Sequence, residues 1–378
     1  MSKWIRGKHC QTIGFSIFSF LLGCMFTINL TPIDKTCKIE DTDREHNIMK
    51  NSKLKDPELI ILVLSAPDNL DRRDTIRNTW LKLYDKRNED SDINSFKMKH
   101  YFAIGSLGLK ADQLLRLSSE QSEHSDILLL PMHDSYMSLT EKVKKSFVWL
   151  KDQYDYGLGF KYVLKCDDDS FVNLKALPVE ISTMEHTFLK KDHRYTVQSN
   201  VQQSSFLSVN VQTNEKVVTG NVLNLYWGYF SGAARVKTRG KWKETSWIAS
   251  DRYIPYALGG GYILSKDLVS YIAKNAEDLR SFNSEDVSVG FWLAPANNLL
   301  RAHDIRFDTE WTSRGCRNTH LVTHNISRQE MTIMYKNFVR FKSLCFKEVD
   351  KRSYYVYNWS VPPSQCCKPF TENVIRLQ

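Results

Sequence analysis

Lys161-Tyr162-Val163-Leu164-Lys165-Cys166-Asp167-Asp168-Asp169-Ser170 is a strand-like run that empties into three consecutive carboxylates. Side chains alternate along a strand, so Asp167 and Asp169 should share one face while Asp168 points away. Adjacent carboxylates repel one another and raise their own pKa values unless a cation lies among them. Oxygen ligands of this kind suit Mg²⁺ or Mn²⁺, which keep waters and also bind substrate phosphates. The same residues also read as an acidic turn capping the next helix. Their surroundings weigh between the two.

Upstream, Leu59-Ile60-Ile61-Leu62-Val63-Leu64 is wholly apolar, as expected of a strand buried on both faces of a parallel sheet. Ser65-Ala66-Pro67-Asp68 forms a turn. The helix after it carries Ile76 and Trp80 on one face and Arg73 and Arg77 on another. Residues 100–105 and 126–130 read as further strands, and Leu139, Val143, Phe147 and Leu150 mark the buried stripe of an amphipathic helix. Such alternation predicts an α/β domain with a mainly parallel central sheet, of the Rossmann-like kind that binds nucleotides. Ligands of these sheets sit outside the carboxyl ends of the strands, where Asp167 to Asp169 lie. Further on, residues 198–214 are rich in Gln, Ser and Asn and read as an exposed insertion. Gly259-Gly260-Gly261 reads as a turn, and Ser284-Glu285-Asp286 precedes another apolar helix.

The N-terminus predicts the compartment. Lys3, Arg6 and Lys8 precede an apolar run from Ile13 to Leu30. As a helix this run rises about 27 Å, close to the roughly 30 Å hydrocarbon core of a bilayer. The flanking cations should stay cytoplasmic. The expected organisation is a cytoplasmic tail over 1–12, a signal-anchor transmembrane helix over 13–30, a lumenal stem over 31–56 and a catalytic domain over 57–378. A cleaved signal peptide is the rival reading. The anchor would leave Cys37, Cys166, Cys316, Cys345, Cys366 and Cys367 in an oxidising lumen, where disulfides form, and adjacent Cys366 and Cys367 should pair with other cysteines rather than each other, because a vicinal bond strains the backbone. No Cys-x-x-Cys pair is present, which argues against a zinc knuckle. Asn29, Asn325 and Asn358 lie in Asn-x-Ser/Thr acceptors, of which Asn325 and Asn358 are the candidates for glycans. A 42% hydrophobic composition excludes a disordered chain, and the net charge of +9 comes without a dense basic block, so nucleic acid is the weakest partner class.

Four segments then carry a family resemblance. They are Arg72-Arg73…Arg77-x-Thr79-Trp80, Asp134-Ser135-Tyr136-x-x-Leu139-Thr140-x-Lys142, the Asp167-Asp168-Asp169 run, and Glu285-Asp286-Val287-x-x-Gly290. In this order they resemble glycosyltransferase family 31, the β-1,3-glycosyltransferases. Segments such as Tyr226-Trp227-Gly228-Tyr229-Phe230 and Pro362-Pro363-Ser364-Gln365-Cys366-Cys367 look like the members that build the glycosaminoglycan–protein linkage region. The resemblance implies a GT-A fold, UDP-galactose as donor, and galactosyl-xylose on proteoglycan core proteins as acceptor. It also implies Mn²⁺ (or Mg²⁺), a single-pass Golgi membrane protein with its catalytic domain in the lumen, and a Cys316–Cys345 bridge. Another family member using N-acetylglucosamine or a different galactoside is an alternative, and so is a catalytically silent lectin or chaperone.

Galactosyl transfer must stabilise a diphosphate leaving group and take a proton from the acceptor hydroxyl. Asp169 is the candidate metal ligand, and the resemblance adds His324 ahead of His303, which otherwise reads as an ordinary half-buried histidine. Asp167 and Asp168 could reach ribose, sugar or metal-bound water. Arg73, Arg77, Asp134 and Lys142 are candidates for the donor. The resemblance makes Asp286 of the Glu-Asp-Val motif the candidate base, although Ser284-Glu285-Asp286 could simply cap the helix beginning near Val287. Glu285, Gly260, Gly261, Trp227 and Tyr256 are candidates for the acceptor, as is Trp242, with core packing the competing role for the aromatics.

Overall fold

In the computed structural model, which describes residues 56–84, 96–189, 209–212, 218–219 and 222–369, the apolar run 59–64 lies inside an eight-stranded sheet. The first half supplies β1 (Leu59–Leu64), α1 (Leu70–Asn78), β2 (Met98–Leu107), α2 (Ala111–His124), β3 (Ile127–His133), α3 (Leu139–Asp155) and β4 (Tyr162–Asp167). A short β5 (Phe171–Val172) and α4 (Leu177–Leu189) follow the carboxylates. The second half adds β6 (Val209–Gln212), a ribbon of β7 (Val218–Thr219) and β8 (Val222–Leu223), β9 (Leu225–Ser231) and β10 (Tyr256–Ser265). Then come α5 (Lys266–Lys274), α6 (Glu285–Trp292), β11 (Leu300–Asp304), β12 (Phe307–Asp308), β13 (Gly315–Cys316), β14 (Val322–Thr323), α7 (Arg328–Phe341) and β15 (Val349–Asp350).

The sheet order is β3-β2-β1-β4-β10-β9-β11-β6. β3, β2, β1 and β4 are mutually parallel, β10 runs antiparallel between β4 and β9, and β11 is again parallel to β9. Six strands therefore run one way, and only β10 and β6 oppose them. β1 shows why its sequence has no polar position. Leu59, Ile61 and Val63 enter the core beneath α1, α4 and α7, alongside Ile76, Ile181 and Met331. Ile60, Leu62 and Leu64 enter the core beneath α3 and α5, alongside Phe147 and Val269. Both faces are covered, as in any largely parallel sheet. Among the described residues no helix is long and apolar enough to cross a membrane. The tail, the anchor at 13–30 and the stem up to residue 55 lie outside the described residues.

Three expectations are corrected. Part of the supposed insertion is ordered: residues 209–212 form β6, which pairs antiparallel with β11 at the sheet edge. Residues 198–208 and 213–214 lie outside the described residues. The triple glycine is no turn but the middle of β10, where the pairing with β9 loses register between Ala257 and Tyr262. Such an irregularity bends a strand and re-aims its neighbours. Finally, Cys366 and Cys367, expected to seek other partners, are bonded to each other. Cys316 and Cys345 already form their own bridge, with Cα atoms 5.9 Å apart, and Cys166 is buried inside β4. That leaves the adjacent pair no other partner among the described cysteines.

Candidate active site

The end of β4 and the end of β14 meet through strand pairing. β5 follows the carboxylate turn and pairs antiparallel with β14, with Phe171 opposite Thr323 and Val172 opposite Val322. Continuing that register sets His324 beside Ser170, and the Ile326 N–H donates to the Asp169 carbonyl at 3.1 Å. His324 Nε2 then lies 3.2 Å from Asp169 Oδ1 and 3.5 Å from Asp167 Oδ2. Asp167, Asp169 and His324 offer ligand atoms all within 4.8 Å of one another.

Two observations fit this cluster to a divalent cation. The His324 Nδ1–H donates to the Glu310 carbonyl at 2.8 Å, which leaves the Nε2 lone pair facing two carboxylates. A neutral ring would put acceptor against acceptor, so only a proton or a metal satisfies the arrangement. In addition, Asp169 Oδ1 is buried without a hydrogen-bond donor aligned to it. Burial acts to raise the Asp169 carboxyl, but the His324 imidazole and the Arg72 guanidinium outweigh it and hold the group below the usual range. Burial acts to lower His324, and Asp169 and Asp167 overcome it and raise the ring above an ordinary histidine.

Asp168 is turned away, as strand alternation required. It accepts from Ser65 Oγ and Asn69 Nδ2, both at 2.8 Å, and burial raises its carboxyl. Its contacts tie the carboxylate turn to the loop after β1, so it does not join the metal cluster as a donor ligand. The donor candidates on α1 and α3 are also corrected. Arg73 is fully buried, pairing with Glu120 and donating to the Ala66 carbonyl at 2.5 Å. Arg77 is fixed by Glu120 and Asp126 and lies over the Phe102 ring. Lys142 and Asp134 form a buried ion pair that also holds the Ser65 carbonyl and the Gly105 N–H. All four brace the loops under the donor side and present no free charge. The guanidinium that does face the cluster is Arg72, part-exposed, 3.6 Å from Asp168 and 3.5 Å from Asp169. The helical period set Arg72 aside, because it separates faces without saying which polar face meets the strand ends.

On the same face of β4 as Asp167, Lys165 organises the second carboxylate group. It is 1% exposed, 2.9 Å from Asp167 Oδ1 and 2.6 Å from the Gly259 carbonyl, and it is paired with Glu285. Glu285 also accepts from the Tyr262 hydroxyl at 2.9 Å, and burial pushes its carboxyl up to about 7 against the pull of Lys165. Asp286 is the more open of the two acids. Its Oδ2 accepts from the Gly259 N–H at 2.9 Å and its Oδ1 from the Val287 N–H at 2.8 Å. Burial raises its carboxyl, opposed by Lys165 and by those two N–H groups. Asp286 therefore does part of a cap's work at α6, whereas Ser284 makes no side-chain cap bond and Glu285 points into the sheet. Lys165 was missed from sequence although its signal was present: a lysine in an apolar strand, two residues before Asp167 and so on the same face.

The remaining acceptor candidates are redistributed. Trp227 is fully buried, donates to Asp304 at 3.0 Å and packs on Phe307, so it belongs to the core. Tyr256 is buried against Tyr253 and the backbone of α6 at Gly290. Gly260 and Gly261 serve the metal side, because a side chain on either would collide with His324 or Val322. Trp242 does reach the site mouth: its ring lies 6.4 Å from Tyr136, and Lys241 sits 4.4 Å above both rings. Burial pushes the Tyr136 phenol up to about 12, with Asp167 and Asp286 adding to the shift. His303, fully buried between the Phe230 N–H and the Tyr355 carbonyl, is structural. Asn325 and Asn358 are both exposed.

A mainly parallel sheet with a carboxylate–histidine cluster at its strand ends places the candidate site where α/β sheets of this class bind their ligands. Comparison with known proteins narrows the class. Residues 71–298 match the galactosyltransferase family. The chain is 41% identical over 311 residues to β-1,3-galactosyltransferase 6 of Mus musculus, covering 82% of each protein. It is 28% identical over 287 residues to hydroxyproline O-galactosyltransferase GALT5 of Arabidopsis thaliana, covering 75% of this chain and 36% of that one. A third relative, UDP-GalNAc:β-1,3-N-acetylgalactosaminyltransferase 2 of Danio rerio, is 28% identical over 178 residues, 47% of this chain and 28% of its own. The chain belongs to the galactosyltransferase family.

Proposed function

We propose that the protein transfers galactose from UDP-galactose, with inversion, to the 3-hydroxyl of a β-galactosyl-1,4-xylosyl-serine on a proteoglycan core protein. The acceptor follows from the likeness to β-1,3-galactosyltransferase 6 over 82% of both chains. The observation that carries the chemistry is the Asp167–Asp169–His324 cluster, linked through Lys165 to the acids at the start of α6. Mn²⁺, or Mg²⁺, held by those three residues would supply Lewis-acid stabilisation of the diphosphate leaving group. Arg72 adds a positive charge on the same side. Asp286 takes the proton from the acceptor hydroxyl, its raised affinity for protons suiting it to that task near neutral pH. A single displacement turns the α-linked donor sugar into a β-linked product. Trp242 and Tyr136 offer aromatic faces to the acceptor rings.

The N-terminal apolar run and its flanking cations support a single-pass Golgi membrane protein with this domain in the lumen. The exposed acceptors at Asn325 and Asn358 would then be open to glycosylation. A different donor is the second reading, supported by the relative that is named for UDP-GalNAc. The test is incubation of the full-length protein in mild detergent with a β-galactosyl-1,4-xyloside, Mn²⁺, and UDP-galactose, UDP-N-acetylglucosamine or UDP-N-acetylgalactosamine in turn. Turnover with UDP-galactose alone, lost on chelation, is the expected result. Preference for either amino sugar would overturn the donor assignment.

A further inference from the structure

Between β9 and β10 the chain runs Arg235-Val236-Lys237-Thr238-Arg239-Gly240-Lys241-Trp242-Lys243, with a cation at every second position. All five cations are exposed, and none is paired with a carboxylate among the described residues. The cations set inside the fold differ: Arg73, Lys142, Lys165 and Arg306 are matched to acids.

The backbone beneath these unmatched charges is firmly held. The Val236 N–H donates to the Asp251 carbonyl at 3.0 Å, and the Lys237 N–H to the Tyr253 hydroxyl at 3.0 Å. Gly240, at φ +79°, turns the chain so that the Glu244 N–H meets the Lys237 carbonyl at 2.7 Å. The Glu244 carboxylate is buried and accepts from the Ser246 N–H at 2.9 Å and the Asn283 N–H at 2.8 Å. Trp247 packs against Tyr253, Phe282 and Phe291. The turn is thus bolted to the residue just before Ser284-Glu285-Asp286, on the acceptor side of the site. Its one neutral ring, Trp242, faces Tyr136 at the mouth. A fixed backbone beside the base, carrying clustered like charges that raise one another's energy, is a surface awaiting an anion.

We propose that this basic turn docks a carboxylate-rich stretch of the acceptor polypeptide, flanking the serine whose sugar enters the site. The inference rests on the proposed acceptor, in that the sugar must be protein-linked. Electrostatic docking of this kind sets acceptor preference and KM and leaves the chemical step alone. The diphosphate is not the natural partner, because the proposed function already gives it Arg72 and the metal cluster.

The test compares the full-length protein with Lys237→Glu/Arg239→Glu/Lys243→Glu; Lys241 is left in place because it packs on Tyr136 and Trp242. Three acceptors carry the same disaccharide: a small xyloside, a glycopeptide with Asp and Glu around the serine, and a neutral glycopeptide. Wild type is expected to favour the acidic glycopeptide about ten-fold in kcat/KM at low salt, a preference that fades as salt screens it. The variant should lose that preference through KM, with unchanged rates on the small xyloside and unchanged KM for UDP-galactose. Equal use of acidic and neutral glycopeptides by wild type would overturn the proposal without using the variant. So would a raised KM for UDP-galactose, or lost binding to anionic vesicles with no change toward peptides. If wild type ignores the small xyloside, the acceptor assignment fails by itself. The turn is then judged by fluorescence anisotropy with acidic and neutral peptides: tighter binding of the acidic peptide supports it, and equal affinity overturns it.

Discussion

The main chain of Gly260 packs against the imidazole of His324, so close that a β-carbon on the glycine would collide with the ring's Cγ. The Gly260 N–H is bonded to the Thr309 carbonyl at 3.3 Å and the Gly260 carbonyl accepts from Ser170 Oγ at 2.7 Å, so β10 has no freedom to retreat. The glycine is the seat of the metal-side histidine.

Gly260→Ala should therefore displace His324 while leaving Asp167 and Asp169 in place. Overpacking of this kind destabilises by about 1–3 kcal/mol, and loss of a ligand's support lowers metal affinity about 10- to 100-fold. The measurement is activity against Mn²⁺ concentration, with the melting temperature recorded alongside. A half-saturating Mn²⁺ concentration raised ten-fold or more is expected. An unchanged metal dependence would remove His324 from the site.

The strands were legible because burial on both faces leaves a plain apolar signature, and β1 occupies the very residues expected of it. The facing of Asp167 and Asp169 was legible for the same reason, since alternation along a strand is geometry alone. What sequence periodicity could not supply is how distant segments come together. Arg73, Arg77, Lys142 and Asp134 have the right charges, but they are consumed by buried pairs whose partners lie on α2, on α3 and in the loops that flank β3. Trp227 and Tyr256 are in a similar position: an aromatic residue declares its size, and only the fold decides whether it meets solvent. His324 needed the β5–β14 register, which four short residues establish and no local pattern announces.

Burial also sets an acid limit on the fold. His303 and His320 are both buried neutral, each pushed down to about 4 chiefly by desolvation. In the unfolded chain they titrate near 6.5, so the unfolded state binds more protons between about pH 6.5 and pH 4. Stability from these groups is fully present above pH 6.5 and is lost as the pH falls through that window. Each contributes up to about 3 kcal/mol of pH dependence. His303→Gln keeps an acceptor for the Phe230 N–H and a donor for the Tyr355 carbonyl. It should lower the melting temperature at pH 7.5 yet flatten its fall between pH 6.5 and pH 4.5. Melting curves across that range decide it; parallel curves for both proteins would show that His303 does not titrate on unfolding.

The Cys316–Cys345 bridge closes a loop with a sequence separation of 29 residues, including β14 and His324. Constraint of the unfolded chain by a loop of this size is worth about 3–4 kcal/mol. Cys345→Ser should lower the urea midpoint accordingly while peptide mapping shows Cys316 free. An unchanged midpoint would mean the bridge adds no net stability.

The central claim is a division of labour at the end of β4, with the donor's charge met at Asp167, Asp169 and His324 and the acceptor's proton taken at Asp286. Asp286→Asn tests it most directly, because asparagine keeps the size and an oxygen for one of the two N–H groups, of Gly259 and Val287, that the carboxylate accepts, but is no base at neutral pH. General-base catalysis is typically worth about 10²–10⁴-fold, whereas loss of a helix cap costs about 1 kcal/mol of stability. The measurement is kcat, Mn²⁺-dependent UDP affinity and melting temperature on one preparation. The expected result is kcat lower by at least about a hundred-fold, with UDP affinity and melting temperature close to wild type. Near-wild-type turnover in the folded Asp286→Asn protein would contradict the account and move the base to Glu285.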